Sequence, residues 1–186
     1  MKVKNIKNNS SKQLNNFLES SKLHKKDFAN MIGVTLSYVY SLIDENIPFS
    51  SRETTLERIA TVMGILPESF LEYTPSDEPK MIDVGIGLLQ HKQKQLKMSN
   101  IEFFRKFPKK KRTEIVDLWR GALPLPLDWE YLMSIAKILN VSEEEIFPYW
   151  QSRMQQHLIA GGMDAMNNAE LLDAMFDAAR KQIGIE

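Results

Sequence analysis

His24, His91 and His157 are the chain's three histidines, the side chains best suited to proton transfer or metal binding near neutral pH. They lie far apart and none has a second histidine within four residues, so no two imidazoles share a helix face as a metal pair would. Solvent-facing or capping positions suit them better. Glu143, Glu144 and Glu145 form an acidic run, but adjacent helical residues point in different directions. Ser142 before them marks a helix N-cap followed by acids that match the helix dipole. Gly85-Ile86-Gly87 lacks the third glycine and the preceding strand of a nucleotide-binding turn. The absence of cysteine excludes disulfides, thiolate zinc sites and thiol nucleophiles. No enzyme, metal or cofactor is therefore expected. Trp119, Trp129, Trp150 and the ten methionines are expected in cores rather than around a cofactor.

A non-covalent site has more to recommend it. Residues 25–43 read as a helix, a tight turn and a second helix. Such a motif needs a small residue where the helices cross, a glycine for positive φ in the turn, and an apolar residue inside the second helix. Ala29, Gly33 and Val39 fill those places, with three and five residues between them. Thr35 is placed to cap the second of these helices, which turns Val39, Leu42 and Ile43 inward. Leu36, Ser37, Tyr38, Tyr40 and Ser41 are left outside or at the flanks.

The elements that must hold this motif are helical throughout. Leu14, Phe17, Leu18 and Leu23 mark a first helix face, and Leu56, Ile59, Ala60 and Met63 a fourth, ended by Gly64. A short fifth helix is expected from Pro67 to about Glu72. No segment alternates with the period of a strand. The chain also repeats itself. The stretch from Leu56 to Ile65 recurs 76 positions later from Leu132 to Val141, apolar on apolar. In the same register Val39, Leu42 and Pro48 meet Ile115, Leu118 and Pro124, and Phe70 and Tyr73 meet Ile146 and Tyr149.

The organisation predicted is a flexible arm over 1–13, one unit over 14–73, a linker over 74–84, a second unit over 85–150, and a helical tail over 151–186. Each core would be thin at this size, so the units are expected to pack together. The tail's stripe of Met166, Leu171, Leu172, Met175, Phe176 and Ala179 must dock, on its own chain or on another copy.

Leu18 and Leu23, the run from Phe28 to Thr35, and the run from Thr55 to Ile65 together resemble the Cro/C1 (Xre-type) family of helix-turn-helix regulators, over about residues 14–73. The resemblance implies an all-α chain of two tandem five-helix lambda-repressor-like units plus the tail, binding double-stranded DNA through the helix that starts at Thr35. It implies a transcriptional regulator, a repressor by default, acting as a homodimer. In such a helix the N-terminal residues read bases. Ser37 and Tyr38 can hydrogen-bond bases or phosphates, Leu36 can touch a thymine methyl, and Thr35, Tyr40 and Ser41 flank them. The family often carries glutamine where Lys25 and Leu36 stand here. Lys25, with Lys26, would instead anchor phosphate.

The second copy departs from the pattern. Phe104 replaces the small residue, Pro108 replaces the turn glycine, and one extra residue separates the helices. Lys109, Lys110, Lys111 and Arg112 nonetheless head its third helix, where they are expected to brace the DNA backbone, with Glu114 and Asp117 pointing toward the same groove. The second unit is expected to hold architecture more than to read sequence.

The formal charge is zero, yet it is segregated: +6 over 1–26, −7 over 27–89, +7 over 90–120 and −6 over 121–186. A local basic face attracts a polyanion whatever the total, although solvation of helix surfaces would also produce such blocks. At 43% hydrophobic and 26% charged residues, with no apolar run long enough for a membrane helix, the composition predicts a folded cytoplasmic protein. Two rivals share the fold: a protein-interaction module, such as an antitoxin or antirepressor gripping a protein partner through the tail, and a scaffold with no ligand.

Overall fold

The structure is a computed structural model that describes residues 9–49, 51–75 and 84–185. All regular structure among these residues is helical. In the first half, α1 (Asn9–Ser20), α2 (Lys25–Ile32), α3 (Leu36–Ile43) and α4 (Glu53–Met63) lead to a 3-10 turn at Pro67–Ser69. In the second, α5 (Val84–Gln95), α6 (Asn100–Arg105), a 3-10 turn at Lys109–Lys111, α7 (Arg112–Trp119), α8 (Trp129–Leu139) and α9 (Glu143–Ala160) precede α10 (Ala169–Gln182).

The internal repeat is visible in the element bounds. Helices α3 and α7 have eight residues each and start 76 apart; α4 and α8 have eleven each, again 76 apart. Both of the longer pair end in a left-handed residue, Gly64 (φ 72°) and Asn140 (φ 54°). The next amide then reaches back to Ala60 O and to Ala136 O, at 3.0 Å in each case. Helices α2 and α6 start 75 apart, so the extra residue of the second half lies between α6 and α7, in the segment that holds the 3-10 turn.

One apolar core serves both halves. It joins Leu14, Phe28, Met31, Val39 and Ile59 to Phe103, Phe104, Val116, Leu132 and Ile146, all fully buried. Packing two thin layers into one removes apolar surface that neither could cover alone. Phe49 stacks on Phe70 at 5.7 Å in the first half, while Phe103, Phe104, Phe107 and Trp119 meet edge to face in the second.

Three expectations about boundaries are corrected. Residues 9–13, placed in a flexible arm, are the opening turns of α1. Ser10 and Ser11 are buried there, and Ser10 donates a 2.6 Å hydrogen bond to Glu72, so tertiary contact overrides a polar composition. The fifth helix of the first half shrinks to the 3-10 turn, with Phe70 dropping into the core. The unit boundary placed after residue 150 falls inside α9, which the Ser142 and Glu145 capping box starts and which ends at Ala160, before Gly161 and Gly162. Residues 1–8 of the arm and 76–83 of the linker lie outside the described residues.

The tail docks on its own chain. Leu172, Phe176 and Ile185 are buried, Phe176 meets Trp150 edge to face at 6.3 Å, and the Arg180 guanidinium stands 5.5 Å over the Phe147 ring. No described helix is long and apolar enough to cross a membrane.

Candidate nucleic-acid interface

The turn between α2 and α3 is built as its residues require. Gly33 closes α2 in the left-handed region (φ 73°, ψ 37°), and the Val34 amide donates to Ala29 O at 3.0 Å. Helices α2 and α3 pack together, and Ala29 of α2 and Val39 and Leu42 of α3 are all buried. A Cβ at Gly33 would lie 2.7 Å from Thr113 Cγ2 of α7, so this glycine serves both the turn and the contact between halves.

Helix α3 is held by its ends and presents its outer side. Thr35 accepts a 3.2 Å bond from the Tyr38 amide, closing the first turn. Leu36, Ser37 and Tyr40 are exposed, Tyr40 by 53%, while Tyr38 and Ser41 are half-buried and the Ser41 hydroxyl is turned back to Ser37 O at 3.3 Å. Lys25 Nζ stands 5.7 Å over the Tyr40 ring, and Lys26 beside it is exposed, so the start of α2 and the outer face of α3 form one surface. Tyr38 and Ser41 also line a groove of about 460 Å³ whose far wall is Ile47, Pro48 and Arg52. The sequence reading missed Arg52. Its signal was a lone cation at the head of α4, next to the loop that faces α3.

The four cations of the second half separate. Arg112 is buried, not on the surface as expected: it donates to Phe107 O (3.1 Å), to Arg105 O (3.3 Å) and to Asp27 of α2 (3.4 Å). Three acceptors satisfy its fork, so it is a clamp on the 105–109 turn rather than a ligand for DNA. Lys111 turns to α8, 3.1 Å from Glu114 and 4.3 Å over the Tyr131 ring; Glu114 foremost, then Tyr131, raises its pKa. Burial in turn pushes the Tyr131 hydroxyl above its ordinary value of 10.0. Lys109 is 62% exposed but leans to Asp27 at 3.4 Å, and Lys110 is exposed. Asp27 is the one carboxylate three or four residues from a histidine, and it faces these cations.

The rest of α7 is spent on the first half. Asp117, expected to face a groove, is buried and takes a two-pronged bond from Arg58 of α4, at 2.9 and 2.6 Å. Arg120 joins Asp117 at 2.8 Å and Glu57 of α4, and Thr113 donates to Asn30 O at 2.6 Å. The Asp117 bond, ahead of the cost of burial, raises the Arg58 pKa. The face of α7 that corresponds to the open face of α3 is therefore internal. Part of the charge segregation is used here, because Asp27 and Glu57 of the −7 block meet Lys109, Arg112 and Arg120 of the +7 block across this contact.

Among the described residues no cluster of histidine, aspartate and glutamate is fit to hold a metal. Comparison with family models, curated proteins and solved structures returned no match.

Proposed function

We propose that this protein is a sequence-specific duplex DNA-binding regulator of transcription, which lays α3 in the major groove and acts by default as a repressor that occupies a promoter. The observation that carries this reading is the state of α3. Its inner side chains Val39 and Leu42 are sealed, its first turn is capped by Thr35, and Leu36, Ser37 and Tyr40 stand free beside Lys25 and Lys26. A helix of eight residues fixed at its base with a polar and aromatic outer face fits a groove about 12 Å wide. Ser37 and Tyr40 would donate to base edges, Leu36 would meet a thymine methyl, and Lys25, Lys26 and Arg52 would hold phosphates on either side. The resemblance to the Cro/C1 (Xre-type) family over 14–73 supports the same assignment.

A second copy of the chain is the partner that the tail fits. Leu171, Met175 and Met166 remain exposed after docking. Helix α10 begins acidic, with Glu170 and Asp173, and ends basic, with Arg180 and Lys181, so an antiparallel pair would match opposite charges at both ends.

The test is selection of bound fragments from a random duplex library with the full chain, followed by titration of the selected site. Ser37→Ala with Tyr40→Ala should lower affinity for that site about tenfold or more while leaving non-specific binding and helical circular dichroism unchanged. Unaltered preference in that variant would overturn the assignment of α3 as reader.

A further inference from the structure

We propose that the second half, which has lost its own reading face, supplies a phosphate-gripping strip of Lys106, Lys109 and Lys110 set against the start of α2, and so holds the duplex backbone next to the bases that α3 reads. The inference rests on the DNA-binding reading of α3 and adds to it a second, sequence-blind contact made by the same chain.

The geometry comes from Asp27 and Arg112. Asp27 belongs to the first turn of α2, directly after Lys25 and Lys26. It receives Lys109 and Arg112 on one carboxylate oxygen, at 3.4 Å each. Arg112 at the same time grips the carbonyls of residues 105 and 107, which fixes the turn that carries Lys106, Lys109 and Lys110. Lys109, and with it the turn, is thereby brought beside the start of α2. Neutralising Asp27 within the fold leaves the excess positive: Lys26, Lys106 and Lys110 are exposed and have no ion-pair partner among the described residues. The strip continues through Lys25 to the Tyr40 ring on the outer face of α3, so a backbone running past α3 would meet it. Like charges gathered at the surface raise each other's energy, and a polyanion that releases its counterions relieves them. An apolar or anionic partner would not.

The experiment is a titration of the full chain with a selected duplex across a range of salt concentrations, for the unsubstituted protein, for Lys106→Ala with Lys110→Ala, and for Lys106→Arg with Lys110→Arg. Each lost phosphate contact should lower the slope of log affinity against log salt by about 0.9, so the alanine pair should lose about 1.8. Affinity near 0.15 M salt should fall roughly ten- to thirtyfold, equally for specific and unrelated duplexes. The arginine pair should keep the slope. A slope unchanged in the alanine pair, with sequence preference intact, would overturn the strip and leave α3 as reader. Failure of the unsubstituted chain to bind any duplex would instead remove the function itself and the strip with it.

Discussion

Gly33 carries two requirements at one atom, and they can be separated. Gly33→Ala forces an L side chain into the left-handed region, at about 1–2 kcal/mol. It also drives a methyl to 2.7 Å from Thr113 Cγ2. Thr113→Ser removes that methyl and keeps the hydroxyl that donates to Asn30 O. In urea unfolding followed by circular dichroism, Gly33→Ala should therefore destabilise more in the native background than in Thr113→Ser, the residual loss being the backbone term together with the close approach to Arg58 Nη1 at 3.2 Å and to the retained hydroxyl at 3.3 Å. Equal losses in both backgrounds would mean that α7 yields freely at this point. Ala29, Gly33 and Val39 were legible in the sequence because their constraint is local and steric. Arg112 was not. A cation at the head of a helix looks the same whether it faces solvent or three acceptors, and one of those acceptors, Asp27, is 85 residues away.

Among the elements, α7 shows how a repeated helix can keep its length and register yet change its use. Its Asp117 is nearly closed off from water and holds both Arg58 and Arg120. Asp117→Ala leaves Arg58 without its carboxylate and Arg120 with Glu57 alone, and should lower stability by about 3 kcal/mol. Arg58→Met should cost less, since Asp117 retains Arg120; the order of the two losses in chemical unfolding checks the assignment. Titration adds a second handle on the junction of α7 and α8. Because the folded pKa of Tyr131 is raised, its share of stability is complete below about pH 10 and is lost as pH climbs through the raised value. Tyr131→Phe should flatten that alkaline loss. The sequence did contain a hint of the α7 contact, in adjoining blocks of −7 and +7. Counting signs reveals that two surfaces could attract, but not whether they meet each other or a third molecule. The arm failed for a related reason: Asn and Ser favour caps and loops by propensity, and only the distant Glu72 shows why residues 9–13 are helical.

Both halves join in one core, and the tail leaves Met166, Leu171 and Met175 exposed, as Leu66, Leu71 and Leu123 are elsewhere. Leu171→Glu with Met175→Glu places charge on side chains that are 59% and 39% exposed, so the fold should survive. Light scattering after size exclusion should then report a shift from dimer to monomer, with affinity for a two-half-site duplex falling and affinity for a single half-site kept. A native chain that is already monomeric at high concentration would remove the tail from this role. The register of the repeat was readable over long stretches because apolar periodicity is a property of each helix by itself. The continuity of α9 across residue 150 was not: Pro148, the sixth residue of α9, lacks the amide that would donate to Glu144 O and by itself speaks for a helix end, yet the helix runs on to Ala160.

All three tryptophans fall between residues 119 and 150, and the first half has none. Indole emission thus observes one side of the shared core alone, whereas circular dichroism observes every helix. If the two signals trace the same unfolding curve, the halves melt as one cooperative body, as their common interior demands. Curves that part company would mean that the side bearing α3 can come loose while the other stays intact.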